Sequence, residues 1–139
     1  MPQDKECIFC KIARKELPCY KIYEDSDILA FLDRTPVNPG HTLIIPKKHS
    51  ETILDTDEET LKKLMIATKK VSKAVYEGLK LEGFAVGINQ FEVGGQAVPH
   101  LHIHIMPRHK GDGVKLWLGR EYESEKEKIE VQKKITRLL

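Results

Sequence analysis

The longest regular pattern of hydrophobic positions runs from residue 55 to residue 80. Apolar residues recur there at three- and four-residue spacing, with lysines mostly between them, which predicts one long amphipathic helix. Thr56 followed by Glu59 fits a capping box, although Asp55 or Asp57 also suits the cap. The stripe predicted to face the core consists of Leu61, Leu64, Met65, Thr68, Val71, Val75 and Leu79.

Shorter apolar runs predict the remaining elements. One run near the N terminus has helical spacing, and the others are alternating or continuously apolar runs of strand length. Segments rich in proline and glycine separate them. This order of elements predicts an α+β fold with an antiparallel sheet of about five strands. The pattern places a short helix within 7–16, strands at 20–25, 27–34, 41–46, 83–90 and 98–106, and a charged helical tail within 121–139.

Composition narrows the class of protein. A chain of 139 residues suits a single domain, 1–139. A formal net charge of +2 is too small to indicate a nucleic-acid partner, and no apolar run approaches the roughly 20 residues of a membrane span. The charged N terminus does not resemble a signal peptide. We therefore expect a cytoplasmic protein with neither a membrane nor a nucleic-acid partner.

Three histidines stand at every second position in the stretch VPHLHIHIMPR: His100, His102 and His104. Apolar residues alternate with them, including the β-branched Ile103 and Ile105, which favours a strand with all three histidines on one face. Three hypotheses explain such a face. The histidines are ordinary residues on a solvated surface, they bind a metal, or one of them is a nucleophile that the others orient.

The residues before this stretch favour the third hypothesis. Gly94 and Gly95 let the backbone approach an anion closely. Gln96 and Asn89 add amide donors. A phosphoryl transition state places charge on its non-bridging oxygens, and fixed donors stabilise that charge.

The same stretch resembles the histidine triad (HIT) family of nucleotide hydrolases and transferases. HLHIHIMPR is similar to the family's His-x-His-x-His-x-x pattern, and CIFCKIARKELP, ILAFLD, PVNPGHTLIIPKKH, GINQ and GGQAVPH follow the family's order. The resemblance covers about residues 7–110 and leaves 111–139 as a C-terminal extension, expected to be partly helical. It is closest to the general bacterial and archaeal or fragile-histidine-triad branch.

The resemblance implies a covalent mechanism that needs no metal for catalysis. His102 is the implied nucleophile, which attacks the α-phosphorus of an adenine or similar nucleotide and forms a nucleotidyl-histidine. His104 contacts the phosphate or the leaving group, and the His100 carbonyl fixes the tautomer of His102. His41 lines the phosphate site. Dinucleoside polyphosphates and nucleoside phosphoramidates are the implied substrates.

The resemblance also implies a nucleoside pocket. Asp33 corresponds to the acidic residue that accepts hydrogen bonds from the ribose hydroxyls. Many relatives carry Ser or Thr where this chain has Ala97, so one side-chain donor to the phosphate is absent. The residues implied to contact the base are Ile8, Phe9, Ile12, Phe31 and Leu43, and those implied to contact the phosphate are Asn89, Gly95, Gln96 and Ala97 with His41, His102 and His104.

Two of the three cysteines form the motif Cys7-x-x-Cys10. A redox role would require a thioredoxin-like βαβ context, which the pattern lacks, and free buried thiols are the alternative to a metal site. Some members of the family bind a structural zinc through two cysteines and two histidines, which implies His49 and His100 as the partners here. Cys19 has no spaced partner.

The implied assembly is a homodimer formed through the long helix and a strand. Two other functions stay open at this point. The first is that of a nucleotide-binding regulatory protein with incidental hydrolysis. The second is that of a zinc-dependent binding module whose histidine run is a metal site.

Overall fold

Five antiparallel strands form one sheet in the order β1-β2-β3-β5-β4. The computed structural model describes residues 5–115 and 117–139. The observed sheet confirms the predicted α+β class. The strands are β1 Lys21–Glu24, β2 Ile28–Leu32, β3 Thr42–Pro46, β4 Gly83–Gly87 and β5 Ile103–Arg108.

Within the described residues, three α-helices accompany the sheet: α1 Ile8–Ala13, α2 Glu58–Gly78 and α3 Glu125–Thr136. Asp57 is the N-cap of α2, and its carboxylate accepts a hydrogen bond from the Thr60 amide at 2.9 Å. The predicted box of Thr56 and Glu59 is therefore wrong. Of the two alternative caps, Asp57 is used. Asp55 instead belongs to the capping box of a short 3₁₀ turn ahead of α2.

Each face of the sheet has its own hydrophobic core. Side chains alternate along β2, so Ile28 and Ala30 face α2 while Leu29 and Phe31 face the side of α1. The α1 side carries the site described below. The core beneath α2 also contains Ile44, Leu64, Ala67, Val71, Val75, Leu81, Leu101, Ile103 and Ile105, and the core beneath α1 also contains Cys7, Phe9, Cys10, Leu43 and Ile45.

Strand β5 is displaced along the chain from its predicted position. It begins at Ile103 instead of residue 98, because the Leu101 amide bonds to the Ser50 carbonyl outside the sheet. It continues through Pro107 to Arg108, beyond the predicted end at residue 106. β3 pairs with β5 only as far as Ile105, so beyond that point one side of the strand has no ladder partner and a missing amide donor is tolerated.

The apolar stripe of α2 is wider than the face that packs on the sheet. Met65 and Leu79 are 56% and 49% exposed, although the pattern predicted that both face the core. Ala67 and Ser72 are buried instead. Among the residues that the structure describes, no helix has both the length and the apolar character required to span a membrane.

Candidate active site and metal centre

Four predicted metal ligands converge beside α1. All their ligand atoms lie within 4.8 Å of one another. The sulfur of Cys7 is 3.3 Å from His100 Nδ1, and that of Cys10 is 3.4 Å from His49 Nδ1. The two histidine Nδ1 atoms are 3.2 Å apart.

These separations fit a tetrahedral zinc site. Zinc bonds of about 2.0–2.1 Å to nitrogen and about 2.3 Å to sulfur place neighbouring ligand atoms roughly 3.3–3.8 Å apart. The far nitrogen of His100, Nε2, is 2.8 Å from the carbonyl oxygen of Pro46 and donates its hydrogen to it, which leaves a lone pair on Nδ1 facing the cluster. Two thiols and two imidazoles are a donor set that zinc favours, and four protein ligands leave no open position.

Local structure prepares the two cysteines. The Cys7 sulfur is the N-cap of α1 and accepts a hydrogen bond from the Cys10 amide at 3.4 Å. The six-residue helix α1 is too short to be stable alone. Its attachment to the sheet therefore depends on this cap, on the packing of Phe9 and on the ligand cluster.

His102 lies next to the Cys–His cluster, and its ring nitrogens are distinguishable. Nδ1 is 2.7 Å from the carbonyl oxygen of His100, and a carbonyl only accepts, so Nδ1 carries the hydrogen and Nε2 holds a lone pair. The side chain is buried, with Phe9 packed edge-on against its ring at a centroid distance of 5.1 Å. Burial lowers the pKa of His102, so the ring is neutral at neutral pH, as a nucleophile requires.

A second group of side chains lies beside His102. His41 Nε2 is 2.9 Å from His104 Nδ1 and 3.5 Å from a carboxylate oxygen of Asp33. Burial is the largest cause that lowers the pKa of His41 and that of His104, which falls to about 4. Three of the residues predicted to contact the phosphate and ribose are therefore together in space.

The predicted base-binding residues divide into buried and exposed members. Phe9, Phe31 and Leu43 are buried together, with the two phenyl rings in edge contact at 5.6 Å. Ile8 is 40% exposed. Ile12 lines an open cleft of about 510 Å³ that runs along α1 towards β1, and the lining of this cleft includes neither Asp33 nor the histidines of the site.

The loop between β4 and β5 uses most of its polar groups internally. Gln96 is buried, its Oε1 accepts from the Phe91 amide, and its Nε2 donates to the Glu51 carbonyl. Asn89 donates to the Gly94 carbonyl at 2.8 Å. The predicted amide donors thus shape the loop. Within the described part of the chain, the Ala97 amide makes no hydrogen bond.

Sequence reasoning missed a polar cluster behind this site. Arg108 makes two hydrogen bonds to Asp112, at 2.8 and 2.9 Å. Asn38 donates to the Pro107 carbonyl at 2.9 Å and to Asp112 at 3.0 Å. The strand predicted at 98–106 ends before Arg108 and Asp112, and neither residue was predicted to have a role. The available signal was an aspartate between two glycines, four residues after an arginine.

Comparison with known proteins identifies the family. The HIT domain matches residues 14–111. The chain belongs to the HIT family. An uncharacterized HIT-like protein of Borreliella burgdorferi is 43% identical over 131 residues, which cover 89% of this chain and 91% of that one. The Arabidopsis thaliana adenylylsulfatase HINT3 is 38% identical and matches 77% of this chain and 54% of its own length.

A solved HIT structure bears on both the fold and the metal cluster. A zinc-bound histidine triad family protein of Mycobacterium smegmatis has a TM-score of 0.74 and 34% identity, with 96% of this chain and 95% of that chain covered. The predicted HIT fold is thereby confirmed. HIT membership supports a nucleotide hydrolase or transferase in general terms, and the Cys–His cluster is compatible with structural zinc.

Proposed function

We propose that the protein is a HIT-type nucleotide phosphohydrolase that cleaves at the α-phosphate through a nucleotidyl-histidine on His102. Nε2 of His102 attacks the α-phosphorus, and the bond from phosphorus to the leaving group breaks. Water then attacks the same phosphorus, which breaks the histidine–phosphorus bond and releases a nucleoside monophosphate. The nucleotide is an adenine nucleotide conjugate.

The hydrogen bond from His102 Nδ1 to the His100 carbonyl carries this proposal. At 2.7 Å it fixes the only tautomer in which Nε2 has a lone pair to donate. The buried surroundings also keep the ring neutral, so this lone pair is present at neutral pH. A protein that only binds nucleotides has no need of a nucleophile prepared in this way.

Groups that stabilise the phosphoryl charge complete the site. His104 supplies a ring donor and the Ala97 amide supplies a backbone donor, while His41 lines the phosphate site beside His104. The exposed Ile8 and the half-buried Ile12, together with Phe9, Phe31 and Leu43, form the side on which the base binds. Asp33 accepts from the ribose hydroxyls.

Zinc has a structural role in this proposal. Its ligands are Cys7, Cys10, His49 and His100. When zinc is bound, it holds α1 against the sheet. His100 thereby has two functions. Its ring binds the metal, and its backbone carbonyl orients His102.

Ala97 lacks the hydroxyl that many relatives carry at this position, so the preferred leaving group does not follow from the resemblance. A hydrolysis panel resolves it. The panel compares a diadenosine polyphosphate, an adenosine phosphoramidate and adenylyl sulfate, the last chosen because a relative is an adenylylsulfatase. We expect turnover of at least one of the three, with a nucleoside monophosphate as product.

His102→Ala tests the nucleophile. We expect turnover to fall by at least about 10³-fold while the affinity for a nonhydrolysable nucleotide changes little. His109→Ala is the matched control, since His109 lies outside the site. Mass spectrometry of the quenched wild-type enzyme should find the nucleotidyl adduct on His102. Undiminished turnover by His102→Ala would refute the assignment.

The proposed assembly is a homodimer through α2 and β4. β4 is an edge strand, and its side chains Phe84 and Val86, on the α2 side of the sheet, are 40% and 42% exposed. Ile66 and Met65 of α2 are 70% and 56% exposed. An uncovered apolar edge strand is an aggregation hazard, so a partner subunit is expected to cover it. Light scattering should give twice the chain mass for the wild-type protein and one chain mass for Ile66→Lys.

A further inference from the structure

The ring of His41 lies between a backbone amide and another histidine. The Val37 amide donates to His41 Nδ1 at 3.1 Å. His41 Nε2 is 2.9 Å from His104 Nδ1. An amide nitrogen only donates, so His41 Nδ1 must hold a lone pair, and the hydrogen of the neutral ring is on Nε2.

The same logic extends to the next ring. His41 Nε2–H donates to His104 Nδ1, which must therefore accept. The hydrogen of a neutral His104 is then on its remaining nitrogen, Nε2. His102 has the opposite tautomer, with its hydrogen on Nδ1 and bound to the His100 carbonyl.

We propose that the Val37 backbone amide, acting through His41, fixes His104 as an Nε2–H donor to the phosphoryl oxygens. The role of His104 towards the phosphoryl oxygens rests on the proposed hydrolysis. Val37 and His41 are then positioning residues for His104. The hydrogen stays on His104 Nε2 throughout, so the ring contributes a hydrogen bond to the developing charge and transfers no proton.

The loop that carries Val37 is held in place from behind. The His41 amide donates to the Asn38 carbonyl at 3.1 Å. The Asn38 side chain donates to the Pro107 carbonyl and to Asp112. Arg108 beside Asp112 holds the pKa of that carboxyl well below its usual range, so the carboxylate remains an acceptor. The amide that sets the tautomer is thus anchored to the end of β5, the strand that carries His104.

The same arrangement argues against a metal at this position. Asp33, His41 and His104 converge closely enough to hold an ion. A metal on His41 Nε2 would move the ring hydrogen to Nδ1, where it would meet the Val37 amide hydrogen. Histidine ligands of metals normally donate their far N–H to a carbonyl, a carboxylate or water, and here the far nitrogen faces a donor.

Nitrogen NMR of the free protein tests the tautomers without any substrate. Long-range ¹H–¹⁵N spectra of ¹⁵N-histidine-labelled, zinc-loaded protein at pH 7.5 report which ring nitrogen carries the hydrogen. We expect Nε2–H for His41 and His104 and Nδ1–H for His102. An Nδ1–H form of His104 in the wild-type protein would overturn the proposal, and this result requires no variant.

Val37→Pro removes the amide hydrogen, and Val37→Ala is the matched control that retains it. In the proline variant we expect His41 and His104 to populate both tautomers while His102 keeps Nδ1–H, which also verifies the fold. Relative to Val37→Ala, we expect kcat to fall by about 10- to 100-fold with KM changed less than about threefold.

The outcomes separate the two proposals. Predicted tautomers in a protein that hydrolyses no nucleotide would refute the proposed function and leave the tautomer assignment intact. Hydrolysis at equal rates by the proline and alanine variants would overturn the role of the Val37 amide. If the proline variant does not fold, the wild-type spectrum alone decides the tautomers. In that case Asn38→Ala, which loosens the same loop, replaces Val37→Pro in the rate comparison with Val37→Ala. Equal rates would again overturn the role of the amide.

Discussion

Two clusters on the α1 side of the sheet each contain two histidines but differ in their chemistry. Cys7, Cys10, His49 and His100 form one, and Asp33, His41 and His104 form the other. In the first, the far nitrogen of His100 faces a carbonyl. In the second, the far nitrogen of His41 faces an amide. The comparison shows that the partner of the far nitrogen determines whether a buried histidine presents a lone pair or a hydrogen to its site.

The largest expected difference between the clusters is in metal content and stability. Cys10→Ser should lower bound zinc below about 0.2 equivalents and the Tm by roughly 10 °C. Asp33→Asn should leave the Tm within about 3 °C of wild type, because an asparagine oxygen still accepts from the Thr35 amide, as Asp33 does at 2.9 Å. Elemental analysis and calorimetry measure both quantities.

Cys19→Ser is the control for that pair, since Cys19 lies outside the metal cluster. It should keep a full equivalent of zinc. Equal losses of stability in Cys10→Ser and Asp33→Asn would remove the distinction between the clusters.

Cobalt titration tests the clusters in one molecule. Zinc-depleted protein should take up a single tight equivalent of Co²⁺, with the intense near-ultraviolet absorption of cobalt–thiolate bonds. In the second cluster, both ring nitrogens of His41 and Nδ1 of His104 are already engaged in hydrogen bonds. Calorimetry detects any further tight equivalent. A second equivalent that disappears in His41→Ala would show that Asp33, His41 and His104 also bind metal.

The smallest expected effect is in the pH dependence of stability. The pKa of His104 is about 4 in the folded chain against about 6.5 unfolded. Between these values the unfolded chain binds the proton more readily, so the free energy of unfolding falls as pH decreases from about 6.5 to 4. His104→Asn should make this decline shallower, by less than about 1.4 kcal/mol per pH unit, the limit for one proton.

Urea unfolding at intervals from pH 7.5 to pH 5 measures the decline. His109→Asn is the control, because the exposed imidazole of His109 is not part of either cluster. Parallel pH profiles for wild type and His104→Asn would contradict a buried, neutral His104.

Periodicity predicted the fold well because each face of the sheet needs its own hydrophobic residues. The strand predicted at 27–34 contains the observed β2, and the long helix was identified from its stripe alone. The errors have local physical causes. Val98 to His102 have strand-like sequence but bond outside the sheet, and the apolar Met65 lies beyond the face that α2 presents to the sheet.

The site was predictable in its residue types and unpredictable in its hydrogen bonds. Alternation and resemblance indicated His102, but nothing in the sequence shows that Val37 contributes its amide. Gln96 illustrates the same limit. Its amide was predicted as a phosphate donor, and in the structure its Oε1 accepts from the Phe91 amide of the same loop while its Nε2 donates to the carbonyl of the distant Glu51.

The attachment of α1 has a consequence for the order of events during synthesis. Cys7 and His100 are 93 positions apart, so α1 leaves the ribosome long before its last ligand exists. At a synthesis rate of about 5–20 residues per second, the two thiols wait several seconds before both histidine partners exist. During that interval they are open to oxidation and to competing metals. Helix α1 is therefore synthesised before the sheet and attached to it last.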